Sequence, residues 1–252
     1  RGMNDMSIAD CRIVLVRPHF PGNIGATARI MGNMGLGDLA LVEPVADPLD
    51  PAARQMSTHS EAILHEVRVV STLAEALADR HLAVATSASA AGIYRQHAGP
   101  PDRVLAQVAV ALGDGRKVAL VFGPEPTGLT NDEIAQCQGL VTIPTADAHS
   151  SLNLAQAVAI CLYELRRCVE GPTPSPPAKP GGERRRSPTL AEMEGLFAHL
   201  REALEGIHFL YGDKADPLMH AIRQMLGRAQ LSVGETKILH GLARQILWHR
   251  EQ

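Results

Sequence analysis

The stretch RIVLVRPHFPGNIGATARIMGNMGL, residues 12–36, decides the fold. It opens with RIVLV, residues 12–16, a run apolar enough to suit a strand covered on both faces. Pro21 and Gly22 then turn the chain, Asn23 is placed to cap the helix that follows, and Gly25 permits close approach of another backbone. A helix is expected over residues 25–34. Outward from this unit the same alternation continues. LALV (39–42), VRVV (67–70), LAVATS (82–87), KVALVFG (117–123) and LVTI (140–143) read as strands. Helices are expected between them, at 53–65, 72–78, 101–112 and 131–137. HSSLNLAQAVAICLYEL, residues 149–165, completes this part as an apolar helix with hardly any polar stripe. Such strands, separated by helices, predict an α/β fold with a mostly parallel sheet covered on both faces.

GPTPSPPAKPGGERRRSP, residues 171–188, holds too much proline and glycine for a regular element and reads as an extended linker. Its Arg184, Arg185 and Arg186 are either a solvated charge run or a phosphate contact. Residues 190–206, 215–229 and 233–248 each place apolar side chains three and four apart, as Leu218, Ile222, Met225 and Leu226 do. They predict a small α-helical domain. The expected division is thus an α/β domain over 7–170, a linker over 171–188 and a helical domain over 189–252.

A chain of 252 residues can bury a full core, and its 45% apolar and 20% charged residues are those of an ordinary globular protein. No apolar run reaches the roughly 18 residues that cross a bilayer. The start of the chain lacks the basic segment and apolar core of a secretory signal. A cytoplasmic protein with no membrane partner is expected. Arg1 and Gly2, ahead of Met3, read as a cloning remnant. The four cysteines, at 11, 137, 161 and 168, have no CxxC spacing and read as buried free thiols in a reducing compartment. The net charge of −3 argues against a protein that coats nucleic acid nonspecifically, while leaving room for a local basic patch. The eleven histidines include no HxxxH or HExxH spacing, so no metal is expected.

Parallel sheets bind ligands beyond the carboxyl ends of their strands, and three clusters fall there. In the first, Asn23 and Arg29 follow the opening strand. In the second, GPEPTG (123–128) has two prolines and two glycines in six residues, a stiff loop that would hold Glu125 in place. Thr130 and Glu133 have the spacing of a capping box for the helix after it. The third cluster is Ser150, Ser151 and Asn153. One serine can cap the next helix, which leaves the other serine and the amide in need of partners.

NIGATAR after the first strand, GPEPTGL after a late one and SSLNL at the last helix, in that order, resemble the three motifs of the SPOUT family of S-adenosylmethionine-dependent RNA methyltransferases. The resemblance covers residues 12–170 and is nearest to the 2′-O-ribose methyltransferases that act on tRNA. It implies a C-terminal trefoil knot in the α/β domain, an exception to the rule that chains avoid knots. It implies S-adenosylmethionine as cofactor and a tRNA ribose, in the anticodon-loop region, as substrate. It implies a homodimer with shared sites, for which Ala155 and Ala159 offer a small-residue helix face. Carried over by position, Arg29, Asn23, Glu125, Ser151 and Asn153 are the catalytic set. Thr86, Ser87, Ala88, Gly123, Ile143, Ser150, Ser151 and Leu152 are the cofactor-binding set. Arg29 would orient the ribose and its phosphate. The tail, with Arg184–Arg186, Arg223, Arg228 and Arg244, would hold the tRNA body. Pro124 departs from the pattern, standing where many of these enzymes carry arginine. The alternatives are another tRNA position or rRNA, or a noncatalytic RNA-binding module. A nicotinamide enzyme is disfavoured because PGNIGATARI stands where GxGxxG would be needed.

Overall fold

The computed structural model describes residues 8–88, 98–146, 148, 151–171 and 186–250. The chain divides into two compact units, Arg1–Pro176 and Pro177–Gln252.

In the first unit seven strands form one sheet: β1 (Cys11–Val16), β2 (Leu39–Val42), β3 (Arg68–Val70), β4 (Leu82–Thr86), β5 (Ala98–Gly99), β6 (Val118–Phe122) and β7 (Gly139–Val141). Their spatial order is β3-β2-β1-β6-β4-β7-β5, and every pairing is parallel. The helices that alternate with them are α1 (Pro21–Met34), α2 (Pro51–Ser57), α3 (Glu61–His65), α4 (Leu73–Leu77), α5 (Pro101–Gly113), α6 (Asn131–Ala135) and α7 (Leu154–Glu170). All residues of β1, β2 and β6 are buried, as unbroken apolar runs require. The core joins Ile13, Leu15, Leu41, Leu120 and Phe122 of the sheet to Ile24 and Met31 of α1, Leu105 of α5 and Leu162 of α7.

The register decides where a ligand can go. Leu15 lies opposite Phe122, Ala85 opposite Val121 and Thr86 opposite Val141. The segments leaving β1, β6, β4 and β7 therefore emerge side by side at the carboxyl edge. At the amino edge, Arg12 is 1% exposed and donates to Asp38, to Asp79 and to the Ala76 carbonyl. The buried Arg80 pairs with Asp79 as well, and donates to the Asp10 carbonyl. These partners are what make burying two guanidinium groups tolerable.

Sequence expectations fail at three places in this unit. The helix expected over 53–65 is two helices, because Thr58 and His59 have φ of 21° and 65° and end the first. The Ser57 and Thr58 hydroxyls donate to the Arg54 and Gln55 carbonyls and so compete with helical bonding. Asn23 does not cap α1. That helix starts at Pro21, whose missing N–H and fixed φ suit a first position, with Phe20 at the cap and no side-chain cap bond. Nor does Ser151 cap α7. Asn153 does, accepting from Ala155 and Gln156 N–H at 2.9 and 3.4 Å while Gln156 accepts from its backbone; Ser150 lies outside the described residues. The helix is also less enclosed than its composition suggests. Leu154, Val158, Cys161, Leu162 and Leu165 are buried, but Ile160 is 36% and Tyr163 58% exposed, and Ala155 is buried within its own chain. The two-residue β5 had no reading as a strand.

The second unit has α8 (Leu190–Gly206), α9 (Ala215–Arg228) and α10 (Val233–Arg250), with a 3-10 turn at Gly212–Lys214. Met193, Leu196, Phe197, Leu200, Ala203, Leu210, Met219 and Ala243 form its core. Arg223 packs its guanidinium over the Phe197 ring at 4.5 Å and pairs with Glu194. Most of the expected linker, including Arg184 and Arg185, lies outside the described residues. Arg186 pairs with Glu192 at 2.8 Å, and its carbonyl accepts from Val233.

Candidate active site

Three segments at the carboxyl edge line a cavity of about 360 Å³. Thr86, Ser87 and Ala88 follow β4 on one side. The segment Gly123 to Leu129, following β6, forms a wall, and Ile143, Ser151, Leu152, Leu154 and Ala157 close the rest. The Thr86 hydroxyl donates to the Val121 carbonyl, and Ser87 N–H to that of Val141, tying the β4 loop to its neighbours. Gly123 is required at the start of the wall, since a Cβ there would run into the backbone of Gly128 and Leu129. Gly128 has φ of +67°, the left-handed region that favours glycine. Thr130 and Glu133 form the capping box of α6 that their spacing predicted.

Beside the cavity the three clusters are hydrogen-bonded in series. Glu125 accepts from the Asn23 side chain at 2.7 Å and from the His19 backbone N–H at 2.9 Å. Asn153 in turn donates to Asn23 Oδ1 at 3.0 Å. The amide that opens α7 thus has partners on both sides, its own helix and the first loop. Burial raises the Glu125 carboxyl, but the donors on Asn23, His19 and Phe20 outweigh it and hold it below the usual range. One residue with no sequence signal joins the arrangement: Arg17, just past β1, pairs with Glu133 at 2.6 Å. That bond, opposed by burial and aided by Glu43, raises the Arg17 guanidinium. Burial pushes the Glu133 carboxyl up, but the bonds from Arg17 and Thr130 outweigh that and lower it.

The structure thus brings every described member of the expected cofactor set, Thr86, Ser87, Ala88, Gly123, Ile143, Ser151 and Leu152, around one cavity. Of the expected catalytic set, Glu125 and Ser151 line it, and Asn23 and Asn153 stand behind Glu125. Arg29 is not brought in. It is exposed on α1, with no hydrogen bond or ion pair among the described residues, about 9 Å along the helix from Asn23 and about 120° around it. Pro124, Pro126, Thr127 and Gly128, read as parts of the stiff loop but not as site residues, also line the cavity, as do Leu129, Leu154 and Ala157, which had not been singled out; Ala157 sits one turn beyond Asn153, which signals that α7 faces it. Among the described residues no group of three histidine, cysteine, aspartate or glutamate side chains is placed to hold a metal, and no helix is long and apolar enough to cross a membrane.

A parallel sheet with a polar-rimmed cavity at its carboxyl edge, walled by a glycine-pinned loop, defines an α/β enzyme that binds a small molecule. Residues 10–163 match the SpoU rRNA Methylase family, and residues 191–252 match the C-terminal domain of the tRNA methyltransferase TrmJ. The chain belongs to the SpoU methylase family, an α/β methyltransferase fold. Among its relatives, the tRNA (cytidine/uridine/adenosine-2′-O-)-methyltransferase TrmJ of Pseudomonas aeruginosa is 38% identical, with 92% of this chain and 91% of that one covered. The tRNA (cytidine/uridine-2′-O-)-methyltransferase TrmJ of Cronobacter sakazakii is 34% identical over 95% and 96%. The crystal structure of TrmJ from Z. mobilis superposes with a TM-score of 0.75 at 29% identity, covering 93% of this chain and 98% of that chain.

Proposed function

We propose that this chain transfers a methyl group from S-adenosylmethionine to a ribose 2′-OH of tRNA, in the anticodon-loop region, in the cytoplasm. The observation that carries the reading is the cavity itself, flanked by the Glu125–Asn23–Asn153 series, in a chain that resembles TrmJ enzymes along nearly its whole length. The cavity fits the cofactor: its volume lies within the usual range for small ligands, and its lining joins polar Thr86, Ser87 and Ser151 to apolar Leu129, Ile143 and Leu154. When bound, the cofactor supplies a methyl group on a sulfonium sulfur. The wall from Gly123 to Leu129 and the Ser151-Leu152 segment hold it, and Ser150 belongs to the same set. The α/β domain ends in a trefoil knot in this reading, which the insertion of β7 between β4 and β5 supports.

Displacement at the methyl needs the ribose oxygen in line with carbon and sulfur. Glu125, Asn23 and Asn153 orient the ribose or the group that activates it. Arg29 serves a site through its five fixed donors, which suit a ribose and its phosphate and a developing alkoxide. Because Arg29 lies away from its own chain's cavity, it acts on the partner's in a homodimer. The exposed Ile160 and Tyr163 on α7 supply the apolar contact face, a role the buried Ala155 does not fill.

Calorimetric titration with S-adenosylmethionine, together with methylation of unmodified tRNA and mapping of the product, tests this. The wild-type chain should bind and yield a 2′-O-methyl nucleotide. Ser151→Arg should stay folded and lose binding; undiminished affinity in that variant would sink the cavity assignment.

A further inference from the structure

We propose that Arg17 is a positioning residue which, through Glu133, fixes the shape of the Gly123-to-Leu129 wall and thereby sets the affinity for S-adenosylmethionine, an inference that rests on the cavity being the cofactor site. The prolines stiffen the wall but leave it few hydrogen bonds of its own. Pro124 and Pro126 have no backbone N–H to bond across the loop. Within it Gly128 N–H donates to the Pro124 carbonyl at 2.8 Å, and Gly128 is itself the hinge-like left-handed residue.

Two carboxylates, one within the wall and one just beyond it, tie it to the first loop. At its near end Glu125 takes Asn23 on one oxygen and His19 N–H on the other. At its far end Glu133 closes the capping box on Thr130 N–H with Oε2, at 2.8 Å, and receives the Arg17 guanidinium on Oε1. Both ends of the wall are thus tied to residues 17–23 of the first loop. Arg17 is held rigidly in turn. Its N–H donates to Val42 across the sheet at 2.8 Å, and its φ of 44° is one that non-glycine residues keep only where surroundings enforce it. The ion pair is also sheltered, with the Arg17 and Glu133 side chains 31% and 12% exposed, which separates it from surface pairs of negligible effect.

The test is a double-mutant cycle on the full chain. Glu133→Gln preserves the capping box, since glutamine serves there as well as glutamate, and removes only the charge pairing. Arg17→Ala and Glu133→Gln should each weaken S-adenosylmethionine binding, by calorimetry and as KM, by about tenfold. The KM for tRNA should stay within about twofold, and kcat should change less than the cofactor KM. The double variant should be no weaker than either single one, the signature of coupled residues. Arg17→Lys should recover most of the affinity. If Arg17→Ala does not fold, Glu133→Gln and Arg17→Lys carry the test. Wild-type protein that takes up no cofactor would overturn the cavity reading and this proposal together. Wild-type binding with unchanged affinity in the variants, or additive losses in the double variant, would overturn this proposal and leave the cavity reading standing.

Discussion

Arg17, just past β1, is clamped to Glu133, whereas Arg29, on α1, is exposed without a partner among the described residues. A guanidinium without a structural partner is available to a substrate. Arg29→Ala is therefore expected to keep cofactor affinity and melting temperature while methyl transfer falls by about 100-fold or more, the range for loss of a positioned group; calorimetry beside single-turnover assays would check it, and near-normal turnover would refute it. Asp79 gives a prediction about stability. Burial pushes its carboxyl up, but hydrogen bonds from Arg80 and Arg12 more than compensate and hold it well below the ordinary carboxylate range. A depressed folded-state value means its contribution is complete above the unfolded value and fades as pH falls through about 4 toward the folded one. The stability gap between wild type and Asp79→Asn should accordingly be full at pH 7 and narrow below pH 4 in denaturant titrations. Much of the site was legible residue by residue. Glycines, prolines and serines at strand ends mark a ligand edge, and the loop that carries Glu125 does line the cavity. Asn23 read as a helix cap and is not one, whereas Asn153 read as an amide in need of partners and finds one 130 positions away at Asn23, while also taking the cap that spacing had given to a serine. Arg17 had no signal at all, because nothing local marks a residue whose partner lies beyond five intervening strands.

Long apolar runs made the major strands legible, since full burial leaves little choice but an interior parallel sheet. Helix ends were harder. The α6 capping box has a recognisable spacing; the break between α2 and α3 rests on positive φ at Thr58 and His59, residues that no turn signal marks, and both helices pack against α1. That packing is close at two glycines. A Cβ on Gly25 would overlap the Ala53 carbonyl, and one on Gly32 would overlap the Ser60 hydroxyl. The Gly25 obstacle is backbone and cannot rotate away. Gly25→Ala should destabilise the first unit by about 1–3 kcal/mol or more, seen as a lower denaturation midpoint with an unchanged slope. Wild-type stability in that variant would mean that α1 and α2 are not in this close contact.

At the scale of the chain, the two units carry different tasks in the proposed function. Arg223 is engaged by Glu194 and Phe197, which leaves Arg244, exposed on α10, as the clearer candidate for a phosphate contact. A chain ending at Gly171 should bind S-adenosylmethionine normally but lose tRNA affinity and much of its salt dependence, because phosphate contacts carry that dependence. Paired titrations at low and moderate salt, with solution mass measured alongside, would test it; an equal salt slope in the truncated chain would remove the tail from substrate binding. The strand order has a further consequence, for how the protein is made. Among the described residues β4 pairs only with β6 and β7, both of which lie later in the chain. More than thirty residues separate Thr86 from Val118, so at about 5–20 residues per second a ribosome takes on the order of 2–6 s to deliver the first neighbour of an apolar strand already synthesised. During that interval the nascent chain carries Leu82 to Thr86 unpaired, which makes this stretch the natural client site for a holding chaperone and the place where slowed translation would most encourage aggregation.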